Sequence, residues 1–292
     1  MKVGFFAVGI GHMARPDLIK TVAVNAERLN FATVWAPEHV VLFDSHISKY
    51  PYSKGEFPLP AETAFADPFT TLAYAAAYTS RVKLATGICL VPEHNPVVLA
   101  KVVATLDQLC SGRFVLGVGV GWLEEEFNAV GVPWEHRARR TRECIDAMRR
   151  LWSDAHSSYD GEFYKFKNVR SYPKPVRGEV PIWFGGETPP ALKRVAEYGN
   201  GWCGFNMTPA ETGEKMARIE QLLKAAGRKR SEIYTAISPY AKPVTRDDLK
   251  RYRDAGVDEL AFVEFTPPSN ERDLIAKMEQ MARDWVEPAA KI

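Results

Sequence analysis

The chain has 292 residues, 46% of them hydrophobic, enough to bury most of its apolar surface around one core or around two smaller ones. A balance of 38 basic against 36 acidic residues leaves a formal charge of +2, too small to suggest a phosphate-backbone partner or an acidic membrane surface. Nucleic acid and membrane are therefore disfavoured as partners.

In chain order, short β-rich runs alternate with longer segments of helical period, the pattern of βα units in a parallel sheet. Lys2–Val8 predicts the first strand and Pro16–Asn30 the first helix. Thr33–Ala36 with Pro68–Thr79, Val82–Thr86 with Val97–Leu109, and Phe114–Val118 with Arg137–Leu151 follow. Pro181–Phe184 with Pro189–Tyr198, Gly201–Gly204 with Pro209–Ala226, Ile233–Ala236 with Arg246–Ala255, and Glu259–Glu264 with Glu271–Asp284 complete eight units. Eight βα units in this length point to an α/β fold, a closed (β/α)8 TIM barrel occupying residues 1–292 as one domain.

Asp67-Pro68, Asn95-Pro96, Thr188-Pro189 and Thr208-Pro209 each place a capping side chain before a proline suited to the first helical position. Ser111-Gly112, Ala226-Gly227 and Ala255-Gly256 supply stops, because glycine adopts the left-handed conformation that ends a helix. Two stretches exceed ordinary loop length: Val40–Ala66, rich in proline and aromatics, and Ser153–Val180, with a hairpin expected around Tyr159-Asp160-Gly161. Long insertions after barrel strands commonly serve as substrate lids. Cys89, Cys110, Cys144 and Cys203 have no C-x-x-C spacing and read as free thiols of a reducing compartment. Phe114–Leu123 is far shorter than the roughly 20 residues of a membrane helix, and a strand starts at Lys2 without an export segment. The expected location is the cytoplasm.

Active sites of such barrels gather just after each strand. The second strand ends in Pro37-Glu38-His39, delivering a carboxylate that could orient an imidazole able to act as acid, base or hydrogen-bond donor. The plainer reading is a loop histidine with no task. The third strand continues through Gly87-Ile88-Cys89, where the glycine marks either a bend or a close approach to a ligand. Gly117-Val118-Gly119-Val120-Gly121-Trp122 fails as a dinucleotide fingerprint, since Trp122 stands where the third glycine belongs. Its alternating glycines either flatten the strand end beneath a planar ring or permit tight packing. Glu124-Glu125-Glu126 reads as a solvated first helical turn, and the arginines from Arg137 to Arg150 as a solvated or subunit-contacting helix face. Gly185-Gly186-Glu187-Thr188 exposes backbone N–H groups before a helix and suits a phosphate, with Glu187 an awkward neighbour unless it points away. Gly201 and Trp202 are expected on the same side of the mouth. His12, His46, His94, His136 and His156 show no metal-ligand spacing, so no metal is expected; Lys83, at the start of its strand, belongs to the face opposite the site.

Phe31 through His39, Asn95-Pro96 through Asp107, Gly117 through Phe127 and Tyr159 through Gly186 together resemble the bacterial luciferase-like flavin and deazaflavin oxidoreductases, in particular their coenzyme F420-dependent branch. The resemblance extends from Met1 to about Trp202; beyond it only the fold pattern continues. It implies a barrel, often dimeric, with a tricyclic ring across the mouth, the phosphate at the glycine pair, His39 as the active-site histidine and Glu38 as its acidic neighbour. It also implies a non-proline cis peptide at Gly87-Ile88 beneath the ring. Relatives that act on sugar phosphates carry an acid where Trp122 stands, which argues against that chemistry here.

The expected function is hydride transfer between F420 and a small, hydrophobic organic substrate. On this reading His39 and Glu38 are catalytic. Gly87, Ile88, Cys89, Trp122, Gly185, Gly186, Glu187, Thr188, Gly201 and Trp202 contact the cofactor. Lys174, Arg177, Lys193 and Arg194 are candidates to meet its acidic tail. The alternatives are an FMN-dependent monooxygenase fed by a separate flavin reductase and a barrel that binds flavin without turnover. A homodimer is expected in each case.

Overall fold

The computed structural model describes residues 1–53 and 55–292. Eleven strands are β1 (Lys2–Phe6), β2 (Thr33–Ala36), β3 (Lys83–Thr86), β4 (Cys89–Leu90), β5 (Phe114–Gly119), β6 (Ser157–Asp160), β7 (Lys165–Val169), β8 (Ile182–Gly185), β9 (Gly201–Phe205), β10 (Tyr234–Ser238) and β11 (Glu259–Val263). The main helices are α1 (Pro16–Arg28), α2 (Pro68–Ala76), α3 (Pro96–Leu109), α4 (Glu124–Ala129), α5 (Arg137–Ser153), α6 (Pro189–Tyr198), α7 (Pro209–Ala225), α8 (Arg246–Asp254) and α9 (Glu271–Met281). The parallel strands run β3-β2-β1-β11-β10-β9-β8-β5, and β3 pairs back onto β5 through Leu84–Phe114 and Ala85–Val115. The sheet is therefore a closed eight-stranded barrel ringed by helices, as the alternating pattern predicts.

All eight expected strands are barrel strands. The hairpin around Tyr159-Asp160-Gly161 also forms, as β6 against β7. Two elements were not expected: β4, which extends the third strand after Gly87-Ile88, and α4, a separate helix before α5. Three of the four proline starts carry a side-chain cap, from Asp67, Asn95 and Thr208. Thr188 makes none. Gly112, Gly227 and Gly256 have positive φ, as expected of helix stops. No helix among the described residues is long and apolar enough to cross a membrane.

The barrel is plugged at its N-terminal end by Trp35, Trp183, Tyr234, Ala85, Val115 and the buried Glu259. Trp183 and Tyr234 stack with centroids 4.5 Å apart, and the Lys83 ammonium lies 4.5 Å from the Tyr234 ring, at the end opposite the mouth. Gly4 and Gly201 make this floor possible: a Cβ on Gly4 would sit 2.4 Å from Glu259 Oε1, and one on Gly201 would sit 2.4 Å from the Trp183 ring. The Glu259 carboxyl accepts from Thr33 Oγ1 at 2.9 Å, Trp35 Nε1 at 3.0 Å and the Tyr234 hydroxyl at 3.0 Å. Burial pushes its pKa up, and those three donors oppose the shift.

Replacing Glu259 with Ala strips an acceptor from three buried donors, each costing about 1–3 kcal/mol when left unpaired. Urea unfolding of Glu259→Ala is expected to show a loss of about 3–5 kcal/mol, with Glu259→Gln losing less because it keeps one carbonyl oxygen. A loss below about 1 kcal/mol would show that the floor does not depend on this carboxyl.

Candidate active site

The floor closes one end of the barrel, and open space lies at the C-terminal ends of the strands. A cavity of about 720 Å³ lies there, walled by the ends of β1, β5, β8, β9 and β10 and by the long loop after β2. His39, Trp122, Gly186 and Arg194 are among the residues that line it.

His39 reaches the cavity from the loop after β2, but its partner is not Glu38. Its Nδ1 lies 2.8 Å from Glu126 Oε2, and the two side chains are 9% and 1% exposed. The other oxygen of Glu126 accepts from the N–H of Val40 at 2.6 Å and of Val41 at 3.3 Å. Glu125 likewise accepts from Ile47 and Ser48 N–H. The acidic run is thus no solvated turn: two of its three members hold the loop that carries the imidazole. Glu38 turns the other way, accepting from Leu90 N–H at 2.5 Å and meeting His94 Nε2 at 3.0 Å. Burial opposes charging of His94, but Glu38 outweighs it and the ring holds its proton more tightly than usual.

Cys89 belongs to that second cluster and does not line the cavity. Its side chain is fully buried, and burial together with the neighbouring Glu38 pushes the thiol far up. The reason is strand alternation: Ile88 faces the cavity, so Cys89 faces away. Among the described residues, Glu38, Cys89 and His94 place potential ligand atoms within 4.8 Å of one another, a grouping that sequence spacing does not reveal. The backbone N–H of Leu90 and the His94 ring already occupy both oxygens of Glu38.

Gly87, Ile88 and Trp122 line the cavity, and the Gly87–Ile88 peptide is cis. The alternating glycines of β5 have a packing role first. A Cβ on Gly117 would stand 2.0 Å from the Thr86 carbonyl oxygen, and one on Gly119 would stand 2.4 Å from Ile88 Cδ1. Trp122 meets His39 edge to face at 5.9 Å between centroids and joins Tyr50 and Phe57 in an aromatic wall. Gly201 and Trp202 are not at the mouth. Gly201 opens β9 and lies in the floor under Trp183, while Trp202 points out of the barrel and donates its Nε1–H to Gly186 O at 3.0 Å. The mouth end of β9 is Gly204 and Phe205.

Gly185, Gly186, Glu187 and Thr188 all border the cavity at the start of α6. Gly186 has φ +101°, which a side chain would strain. The Glu187 carboxylate swings away from the helix start, accepting from Phe205 N–H at 2.8 Å and facing the Tyr52 phenol. Beside this turn stand two guanidinium groups, Arg137 and Arg194. Neither forms an ion pair with a carboxylate among the described residues, and the Nε of each is buried without a partner. Burial pulls both pKa values down, and for Arg194 the charge of Arg137 adds to the effect. The other tail candidates lie elsewhere: Lys174 is bonded to the Leu151 and Asp154 carbonyls, and Lys193 is exposed beside Glu197. Arg177 packs near Gly112, at the base of β5.

Two signals could have exposed the missed residues. Leu123, Glu126 and Phe127 follow an i, i+3, i+4 spacing and share the buried face of their turn. Arg137 opens the stripe continued by Thr141, Cys144, Ile145 and Met148, the buried face of α5. A third carboxyl, Glu93, is enclosed beside Glu126 and Glu38 with neither oxygen partnered among the described residues. Burial, then the charges of Glu126 and Glu38, push it up to about 9. Between the ordinary carboxyl range and pH about 9 the folded chain therefore keeps a proton that the unfolded chain releases, and stability falls as pH rises. Glu93→Gln is expected to unfold at higher denaturant than the parent near pH 8. That advantage shrinks towards pH 5 by at most about 1.4 kcal/mol per pH unit. Parallel denaturation curves at the two pH values would contradict the assignment.

The family description that matches residues 1–291 is luciferase-like monooxygenase. The uncharacterised protein Rv0953c of Mycobacterium tuberculosis is 36% identical over 262 residues, covering 88% of this chain and 90% of that one. A 5,10-methylenetetrahydromethanopterin reductase of Archaeoglobus fulgidus is 30% identical over 195 residues, 67% of this chain and 57% of its own. Among solved structures, an F420-dependent secondary alcohol dehydrogenase in complex with an F420-acetone adduct superposes with TM-score 0.77 at 19% identity, covering 99% of this chain and 98% of that one. The oxygenating constituent of 3,6-diketocamphane monooxygenase from Pseudomonas putida, in complex with FMN, superposes with TM-score 0.74 at 15% identity and covers 98% of each chain. With a matching family description over nearly its whole length, the chain belongs to the luciferase-like monooxygenase family of oxidoreductases.

Proposed function

We propose that this protein is an F420-dependent oxidoreductase that transfers a hydride to or from a small, apolar organic substrate, with His39 handling the accompanying proton. The observation that carries the reading is the polarity of the cavity. Its lining holds an imidazole among aromatic rings and, beside the start of α6, two guanidiniums that form no ion pair among the described residues, one of them stacked on the Trp134 ring at 3.6 Å. Paired cations in partly desolvated surroundings are costly unless an anion sits between them.

The residues fit a phosphate-bearing tricycle. Arg137 and Arg194 supply charge, and the first turn of α6 supplies N–H groups and the positive end of its dipole, uncapped by Thr188. Glu187, bonded to Phe205, leaves that turn free of its negative charge. Ile88, Gly119 and Trp122 would line the ring. When bound, a deazaflavin supplies the hydride donor or acceptor. The chain itself excludes water with Trp122, Tyr50 and Phe57, orients the substrate, and moves a proton at the imidazole of His39. The fold shared with the F420-dependent secondary alcohol dehydrogenase favours the deazaflavin.

The second reading, an FMN-dependent monooxygenase served by a separate reductase, uses the same cavity, and the FMN-bound neighbour favours it. Anaerobic calorimetric titration with F420 and with FMN, oxidised and reduced, separates the two. Selective F420 binding is expected. Selective binding of reduced FMN would shift the assignment to the monooxygenase, and binding of neither would sink the site. Arg137→Ala and Arg194→Ala are each expected to weaken cofactor binding about 10- to 100-fold, the loss of roughly 1.5–3 kcal/mol of charge-assisted hydrogen bonding. His39→Ala is expected to keep cofactor affinity while turnover falls about 10²- to 10⁴-fold. An unchanged rate would point to a barrel that binds without catalysing through this residue.

A further inference from the structure

We infer that Glu126 is a positioning residue that locks His39 as the tautomer protonated on Nδ1, leaving Nε2 free as the proton acceptor facing the cavity. The inference deepens the function proposed above and rests on it for the identity of the reaction, but the lock is a property of the cofactor-free protein.

The geometry leaves the proton little choice. Glu126 Oε2 lies 2.8 Å from Nδ1, and a carboxylate only accepts, so Nδ1 must donate. The carboxylate cannot turn aside, because Oε1 is held by the N–H groups of Val40 and Val41, the two residues that follow His39 in the chain. Loop backbone, carboxylate and ring form one closed circuit. Edge-to-face contacts with Phe57, Phe65 and Trp122 at 5.2, 5.4 and 5.9 Å between centroids block rotation of the ring. No protein group among the described residues bonds Nε2, and His39 lines the cavity. A proton arriving at Nε2 makes an imidazolium whose charge Glu126 offsets from the far side.

The charged groups around the pair fit that role. Glu93 faces Glu126 from the turn after β4 and keeps its proton at neutral pH, so it adds no second negative charge beside the pair. Glu38 is engaged by Leu90 and His94.

The lock predicts an inversion. In Glu126→Gln, the Val40 and Val41 N–H groups need an oxygen, which turns the carboxamide NH2 toward His39. Nδ1 then becomes the acceptor and Nε2 carries the proton. ¹⁵N NMR of the full chain, labelled at histidine and free of cofactor, is expected to show His39 protonated on Nδ1 in the parent, on Nε2 in Glu126→Gln, and again on Nδ1 in Glu126→Asp. Any turnover the parent shows should fall about 10²- to 10⁴-fold in kcat in the Gln variant with KM little changed, as in other enzymes whose histidine is forced into the wrong tautomer. A parent spectrum with the proton on Nε2 overturns the lock, as does a Gln variant that keeps the parent tautomer. Should the Gln variant not fold, the parent and Asp spectra decide. If instead His39→Ala turns over normally while the tautomers invert as stated, the lock stands and the catalytic reading fails.

Discussion

Closure of the ring between β3 and β5 is the constraint on which the rest of the structure depends. At that seam Gly117 lies so close to the Thr86 carbonyl that no side chain can stand between them, and the Thr86 hydroxyl donates to Gly117 O at 2.8 Å. A ring this tight has an interior narrow enough for side chains to fill. Trp35, Trp183, Tyr234 and Glu259 fill it from below, with Gly4 and Gly201 giving them room. The cavity is what remains above that plug, and every strand end delivers its following loop to the same place.

Two kinds of buried charge divide the molecule. The carboxyls of Glu38, Glu126 and Glu259 each collect several donors from the protein itself. Burying such a group is tolerable because its hydrogen bonds are complete. Arg137 and Arg194 show the reverse: half-buried, mutually repelling and without a carboxylate ion pair among the described residues. A satisfied buried charge explains itself by what it holds in place. Arg137 is met by the Trp134 ring, 3.6 Å from its guanidinium, and by the charge of Glu124, while the Nε of each arginine stays without a partner.

The fold was legible because each barrel strand is a short β-rich run followed by a segment of helical period, and those signals are local. The site was legible only in part. That His39 and the Gly185-Gly186 turn border the cavity is readable because they lie at or just after strand ends. Glu38 was misassigned as the orienting group because adjacency in sequence is not adjacency in space: His39 faces the cavity while Glu38 turns under the loop to Leu90 and His94. Trp202 was placed at the mouth although it belongs to the first half of β9, whose open end lies at Phe205. Glu126 and Arg137 were hidden inside runs of like charge, where composition suggests solvent and only helical phase shows which member points inward.

The loop after β2 ties these parts together. It is carried by the barrel at Ala36, held at Val40, Val41, Ile47 and Ser48 by Glu125 and Glu126, and reaches the end of β9, where Tyr52 O accepts from Asn206 Nδ2 at 3.0 Å. There the Tyr52 ring packs edge to face on Phe205, 4.9 Å between centroids, and its phenol faces Glu187. One segment therefore touches both the helix whose Glu126 bonds His39 and the residue beside the Gly185-Gly186 turn. The same loop supplies Tyr50, Phe57 and Phe65 as the aromatic wall around His39, with Lys49 a charged member of its cavity lining.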